Sequence, residues 1–189
     1  MKTLCIATAL VAILTAPAMA EPVTKTVAID KPTYSGTRTV TRDKQTGTFL
    51  RDTDLTRKSD GATATRDVSR TRTATGYVAS GTNRGFDGRS SHFDATHIKN
   101  ETGGTTTGTA TARNGQTYSF GSSRTKTETG FIANQHVANS AGTTVYNRDA
   151  RVTRANGQVT RSVDVTRAQG FHPPHILREG IRGGRGRRH

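Results

Sequence analysis

The chain has 189 residues, with 28 Lys and Arg against 14 Asp and Glu, which gives a formal net charge of +14. Hydrophobic residues make up 31% of the chain and Trp is absent, so a large globular core is excluded and disorder is the first alternative to consider. One cysteine, Cys5, excludes an intramolecular disulfide and a site built from several cysteines. The strongly basic composition predicts an anionic partner.

The first twenty residues predict a secretory signal peptide. Lys2 precedes an apolar run from Leu4 to Leu14, and the small residues that end at Ala20 fit cleavage before Glu21. The apolar run is too short to span a bilayer. We therefore expect an exported protein, periplasmic or extracellular, with no transmembrane segment after the signal peptide is removed.

Glycines recur at an interval of 27 residues, which predicts a repeat protein. Two sets keep this interval and divide each unit into 15 and 12 residues, so one unit comprises two short elements and two turns. The 35 threonines favour strands, because a β-branched side chain is stiff and fits a pleated sheet. This pattern favours an ordered chain over a disordered one. The first set is Gly61, Gly88, Gly115 and Gly142, and the second is Gly76, Gly103, Gly130 and Gly157.

Eleven strands are predicted in chain order. The first alternates apolar and polar residues from Val23 to Ile29 and stops before Pro32. Later strands are separated by Asp-Gly and Asn-Gly dipeptides, which predict hairpins with type I′ turns at Gly61, Gly88, Gly115 and Gly157. The glycines that follow threonine are predicted to lie in slightly longer loops. The strands are expected at about residues 23–29, 37–42, 48–56, 62–73, 77–83, 89–99, 105–113, 116–127, 131–139, 143–154 and 158–167.

The hairpin signals predict an all-β antiparallel meander of about five 27-residue units with two strands each. The alternative is a β-solenoid, which needs stacked apolar columns, and one column approaches that pattern: Val78, Thr105, Ile132 and Val159. The expected divisions are a signal peptide at 1–20, an N-terminal strand and cap at 21–34, the repeat domain at 35–168, and a disordered, basic Gly/Arg-rich tail at 169–189.

Basic residues recur nine residues after the first glycine of each unit and, except at Thr153, eleven residues after it, which predicts a basic ridge across the sheet. Positions two apart share a face of a strand, and equivalent residues of successive units stand roughly 10 Å apart. By the same parity, Phe93 and Phe120 join this face and are predicted to stack on ligand rings, whereas Asp67 and Asp94 lie opposite. The alternative is that these cations only keep an exposed sheet soluble. The predicted polyanion-binding residues are Arg70, Arg72, His97, Lys99, Arg124, Lys126 and Arg151, with Arg182, Arg185, Arg187 and Arg188 of the tail.

Catalytic and metal-binding patterns are weak in this sequence. Ser91 and His92 are neighbours on a predicted strand, so their side chains point to opposite faces and cannot form a nucleophile and base pair. His172 and His175 have no acidic or sulfur ligand beside them. We therefore predict a non-enzymatic protein with no catalytic residue, no metal and no cofactor.

Two segments carry a resemblance to other proteins. Asn114 to Tyr118 and Asn156 to Val163 resemble the Asn-Gly-x-x-Thr-Arg repeats of small, exported, threonine-rich bacterial proteins of undefined function. The likeness in rhythm extends over most of residues 36–168, and it implies no active site.

Composition and pattern together support two hypotheses about function. The first is a protein that binds an anionic polymer or cell-surface component through a basic face, with lipopolysaccharide, acidic polysaccharide and extracellular nucleic acid as candidates. The alternative is a structural protein that associates edge to edge into fibres or a surface layer.

Overall fold

A computed structural model describes residues 21–172, and these residues form one eleven-stranded sheet. The strands follow one another in chain order, and every neighbouring pair is antiparallel. The predicted all-β meander is thus confirmed, and the solenoid alternative is wrong. The strands are β1 (Val23–Asp30), β2 (Tyr34–Asp43), β3 (Thr48–Arg57), β4 (Thr63–Arg72), β5 (Gly76–Arg84), β6 (Ser90–Asn100), β7 (Gly103–Thr111), β8 (Thr117–Thr127), β9 (Gly130–Asn139), β10 (Thr144–Ala155) and β11 (Gln158–Arg167).

The sheet is open, with β1 and β11 as its two edges. Each of the eleven strands lies where the sequence predicts it, with ends that differ by up to about three residues. The predicted signal peptide at residues 1–20 and the tail residues Arg182, Arg185, Arg187 and Arg188 lie outside the described residues.

The turn type differs from the prediction at three of the four Asp-Gly and Asn-Gly hairpins. Only Asn156-Gly157 has positive φ at both residues, 50° and 75°, as type I′ requires. At Asp87-Gly88 only the glycine is left-handed, and its N–H donates to Gly85 O at 2.9 Å. The reason is a side-chain acceptor, because Asp87 Oδ1 accepts the N–H two residues on. The same bond forms at Asp60, Asn114 and Asn139.

The glycines that follow threonine begin strands and do not lie in the loops, which corrects the prediction. Gly76, Gly103 and Gly130 are the first residues of β5, β7 and β9. A Cβ atom at Gly76 would overlap the backbone oxygen of His97, and one at Gly103 would overlap that of Arg124. Glycine is therefore required at these positions so that adjacent backbones can approach closely.

The two faces of the sheet differ completely in their chemistry. Directly paired residues of antiparallel strands share a face, so the register assigns each strand residue in the described part of the chain. All eight strand aspartates and 23 of the 25 strand threonines lie on one face, which we call the threonine face. The other, the cationic face, carries 15 of the 17 strand Lys and Arg and every strand Phe and Tyr.

The lysines and arginines of the cationic face lie on eight of the eleven strands of the described sheet. Of the strand cations in residues 21–172, Arg84 and Arg151 are the two on the threonine face. The cations of the cationic face are Lys25, Arg38, Arg42, Arg51, Arg57, Arg66, Arg70, Arg72, Lys99, Arg124, Lys126, Arg148, Arg154, Arg161 and Arg167.

The hydrophobic core lies on the cationic face, in the middle of the sheet. Phe93 is paired with Gly81 and Phe120 with Gly108. Each ring lies over its glycine, where a Cβ would contact the ring, and the two phenylalanines are 3% and 2% exposed. Burying each ring contributes about 1.5–3 kcal/mol. The core residues are Tyr77, Ala79, Phe93, Ala95, Ala110, Ala112, Tyr118, Phe120 and Val137.

On the threonine face, Asp67 is paired directly with Asp52. Burial, followed by the charges of Asp52 and Asp54, raises the pKa of Asp67 above its ordinary value of 3.8. A raised carboxyl pKa contributes stability that is present below pH 3.8 and lost as pH rises through the folded-state pKa. We therefore expect Asp67→Asn to raise stability at pH 7 by about 0.2–1 kcal/mol.

Urea unfolding at pH 7 and pH 3 would check this, since the advantage of Asp67→Asn should disappear at the lower pH. Asp43→Asn is the matched control with the opposite sign. Hydrogen bonds from Thr46 and then Gln45 lower the pKa of Asp43, so this change should destabilise the protein at pH 7. Equal unfolding midpoints for Asp67→Asn and the unmodified protein at pH 7 would contradict the prediction.

Candidate functional site

Cations and aromatic rings alternate near one end of the central strands on the cationic face. Tyr77 of β5 lies between Arg70 of β4 and His97 of β6. The Cζ atom of Arg70 is 3.8 Å from the centre of the tyrosine ring. The imidazole of His97 stacks on the same ring with centroids 4.7 Å apart and an interplanar angle of 20°. Tyr77 is 2% exposed, so the stack of Arg70, Tyr77 and His97 is packed into the folded sheet.

A related contact lies two units further along the chain. Arg124 of β8 places its Cζ atom 3.9 Å from the centre of the Phe131 ring of β9. Phe131 follows Tyr77 by 54 residues, as Arg124 follows Arg70. Guanidinium groups stack favourably on aromatic rings. The units that begin at Gly61 and Gly115 therefore each hold an arginine in place against a ring.

The unit between them has glycine where the ring would be. Gly104 follows Tyr77 by 27 residues and is paired with Lys99 on one side and Arg124 on the other. The imidazole of His97 leans over this glycine, with Cε1 2.9 Å from the position of an added Cβ, and beside it the surface opens into a cleft of about 690 Å³. Its lining includes His97, Lys99, Arg124, Lys126, Phe131 and Arg154.

The electrostatics of the cleft favour an anion. Glu128, in the turn after β8, is the one carboxylate among the described residues that line it. His97 Nδ1 lies 2.9 Å from the hydroxyl oxygen of Thr106. Burial, followed by the charges of Lys99 and Arg70, lowers the pKa of His97 below its ordinary value of 6.5. At neutral pH the positive charge of the cleft therefore comes from lysine and arginine.

The structure places most of the predicted ridge on one face. Arg70, Arg72, His97, Lys99, Arg124 and Lys126 all lie on the cationic face. The ridge runs obliquely, because Arg70 is level with Ala95 of β6, two residues before His97. Asp67 and Asp94 lie on the threonine face, as parity predicted.

Arg151 does not belong to this ridge, contrary to the prediction. The register between β9 and β10 shifts between Thr144 and Tyr146, where Val145 is an extra residue. Such a bulge reverses the facing of every later residue in the strand. Arg151 is therefore paired with Ile132 and Ser162 on the threonine face, and Arg154 reaches the cleft in its place.

Phe93 and Phe120 share the face of the cations but are not available to a ligand. Both are buried over glycines, so the predicted stacking role is wrong and they build the core. The rings that do contact cations, Tyr77 and Phe131, were missed by sequence reasoning. Their signal was present, because they occupy one repeat position sixteen residues after Gly61 and Gly115.

The titration of His97 predicts a pH-dependent affinity for polyanions. Because its pKa is lowered, His97 is neutral above pH 6.5 and adds a charge to the cleft only below that value. We expect heparin affinity, measured at constant ionic strength, to rise between pH 7.5 and 5. The contribution of one exposed ion pair is about 0.2–1 kcal/mol, or roughly two- to fivefold.

His97→Gln should remove that part of the rise. His136→Gln is the matched control, because His136 is paired with Gly121 on the threonine face. An identical pH profile for both variants would contradict a role of His97 in the cleft.

No protein-family model, curated protein or solved structure matches this chain. In residues 21–172, no group of three or more histidine, cysteine or acidic side chains is arranged to hold a metal ion. The same residues include no helix with the length and apolar character needed to cross a membrane.

Proposed function

We propose that this protein is an exported, non-enzymatic binding protein that holds an anionic polymer on its cationic face. The observation that carries the proposal is the separation of charge. All eight strand aspartates lie on the threonine face, and 15 of the 17 strand lysines and arginines lie on the other. A solubilising surface needs no such sorting, because mixed charges on both faces would serve equally well.

The arrangement suits a chain-like ligand better than a small molecule. The cations lie on eight strands from β1 to β11, and neighbouring strands are about 4.8 Å apart, so the face presents a charged surface many times longer than one anionic group. Phosphate or sulfate groups spaced along a polymer would contact several cations together. Each contact releases counter-ions from the polymer, which gives the binding its affinity.

Binding at increasing salt tests the proposal. The mature chain would be titrated with heparin at 50, 100 and 200 mM NaCl, and the logarithm of affinity plotted against that of salt. With six to ten contacts we expect affinity to fall by about 10³–10⁵ over this range. An affinity that changes less than about twofold, or no binding at 50 mM, would overturn the proposal.

One observation favours self-association as a second candidate function. The two faces carry opposite charge, so the cationic face of one copy is complementary to the threonine face of another, and β1 and β11 are unpaired edges. Sedimentation velocity at low salt without polyanion would test it. Particles that grow with protein concentration and dissociate in high salt would support face-to-face stacking, and a monomer at all concentrations would exclude it.

A further inference from the structure

We infer that the cleft beside Gly104 binds a planar aromatic ring carried by an anionic chain, namely a base of a single-stranded nucleic acid. This inference rests on the proposed binding of an anionic polymer and narrows its chemistry. One unit of the repeat has an aromatic ring between its two flanking side chains, and the next unit has glycine at that position and a cleft beside it.

The unit that begins at Gly61 shows what an occupied site looks like. The ring of Tyr77 lies between two side chains, with the Arg70 guanidinium carbon 3.8 Å and the His97 ring centre 4.7 Å from its centroid. The strands that carry these three groups are consecutive neighbours, β4, β5 and β6. The spacing of a sheet therefore accommodates one aromatic ring between two planar side chains carried two strands apart.

The next unit repeats the two flanking groups without the ring. Arg70 corresponds to His97, Tyr77 to Gly104 and His97 to Arg124, each 27 residues later. These residues again lie on three consecutive strands, β6, β7 and β8. Because the His97 imidazole leans over Gly104, a planar ligand ring in the cleft would lie between that imidazole and Arg124, as the ring of Tyr77 lies between Arg70 and His97.

Both flanking groups are already held for stacking on their outer sides. His97 stacks on Tyr77, and Arg124 stacks on Phe131. Each therefore loses little side-chain freedom when a further ring binds, which lowers the entropic cost of association. The volume of about 690 Å³ falls in the usual range for small-ligand sites and is ample for one base.

The surroundings of this place suit the charge that accompanies the ring. Lys99, Lys126 and Arg154 also line the cleft, so phosphates on either side of an inserted base would find cations. Stacking of bases on aromatic and guanidinium planes beside a basic surface is how proteins hold single strands without reading their sequence. A ring-free polyanion would use the cations and leave the stacking place empty.

The experiment compares two labelled twelve-residue oligonucleotides by fluorescence anisotropy, oligothymidylate and an abasic strand with the same number of phosphates. Because base stacking changes affinity by about fivefold to a hundredfold per base, we expect oligothymidylate to bind roughly tenfold more tightly at equal salt. Equal affinities for the two strands would overturn the inference and leave the binding of anionic polymers standing. If neither strand nor heparin binds at 50 mM NaCl, the proposed function fails and the inference fails with it.

Two variants locate the effect. Gly104→Tyr would fill the place with the protein's own ring, and we expect the preference for oligothymidylate to disappear while the abasic strand still binds. A Cβ at Gly104 would lie 2.9 Å from His97 Cε1, so the imidazole must move in this variant. A second variant that adds no bulk is therefore needed. Arg124→Lys keeps the positive charge and removes the planar guanidinium, and we expect the same loss of preference for oligothymidylate. Arg148→Lys, on the cationic face outside the cleft lining, is the matched control and should retain the tenfold preference. An unchanged preference in a folded Gly104→Tyr and in Arg124→Lys would overturn the inference.

Discussion

Gly76→Ala is expected to destabilise the protein by about 3 kcal/mol, the upper part of the range for a forced steric overlap. The added Cβ would occupy the space of the His97 backbone oxygen. A backbone atom cannot rotate away, so β5 and β6 would have to separate and lose hydrogen bonds beside the cleft. Because His97 lies in the cleft, the same change should weaken the binding of polyanions.

Urea unfolding of the chain from Glu21 onwards would measure this loss, and Gly61→Ala is the matched control. Gly61 has φ 71° and nothing within 4 Å of an added Cβ, so alanine there meets only the cost of a left-handed backbone, about 1 kcal/mol. Glycine is thus required at position 76 for close backbone contact and favoured at position 61 for its left-handed backbone conformation. Gly76→Ala and Gly61→Ala with equal unfolding midpoints would contradict the steric explanation.

The order of the strands was predictable because the turn chemistry is local. Asp-Gly and Asn-Gly signals mark hairpins whichever turn type they form, since the glycine takes positive φ in each case. The exact turn type was less accessible. It depends on whether the side chain of the Asp or Asn accepts a hydrogen bond from the N–H two residues on, as Asp87 does from Arg89. The same dipeptide can therefore form either turn type.

The face on which each basic residue lies was predictable wherever equivalent positions of successive 27-residue units lie on the same face of the sheet. Parity places Arg70, His97 and Arg124 on one face, and the register agrees. The extra residue Val145 breaks this correspondence in β10, although the glycine period continues to Gly157. A bulge has no strong sequence signal, so Arg151 was assigned to the wrong face and Arg154 was not found.

Exposure was harder to predict than facing. Phe93 and Phe120 lie on the predicted face, but they are buried because Gly81 and Gly108 stand opposite them on the neighbouring strands. Pairing partners follow from register, and register follows from turn lengths that were predicted too long at Gly103 and Gly130. The cleft beside Gly104 is a consequence of the same kind, and it is recognised only once the equivalent Tyr77 is known to stack.

The double change Lys99→Gln and Lys126→Gln is expected to lower heparin affinity about tenfold at low salt. Both side chains are exposed and line the cleft, so their removal should leave the core intact while deleting two contacts to the polymer. Each lost contact should reduce the slope of log affinity against log salt by nearly one.

The control uses the same change in charge on the other face. Arg84→Gln and Arg151→Gln also remove two positive charges, but these residues lie among the strand aspartates on the threonine face. If heparin lies on the cationic face, this pair should leave the salt slope unchanged and lower affinity less than about twofold, through long-range electrostatics alone. Equal losses for both pairs would mean that net charge decides the affinity and that the sorting of charge between faces has no part in binding. A loss confined to the cleft pair would locate the polymer on the face that also carries the stacked cations.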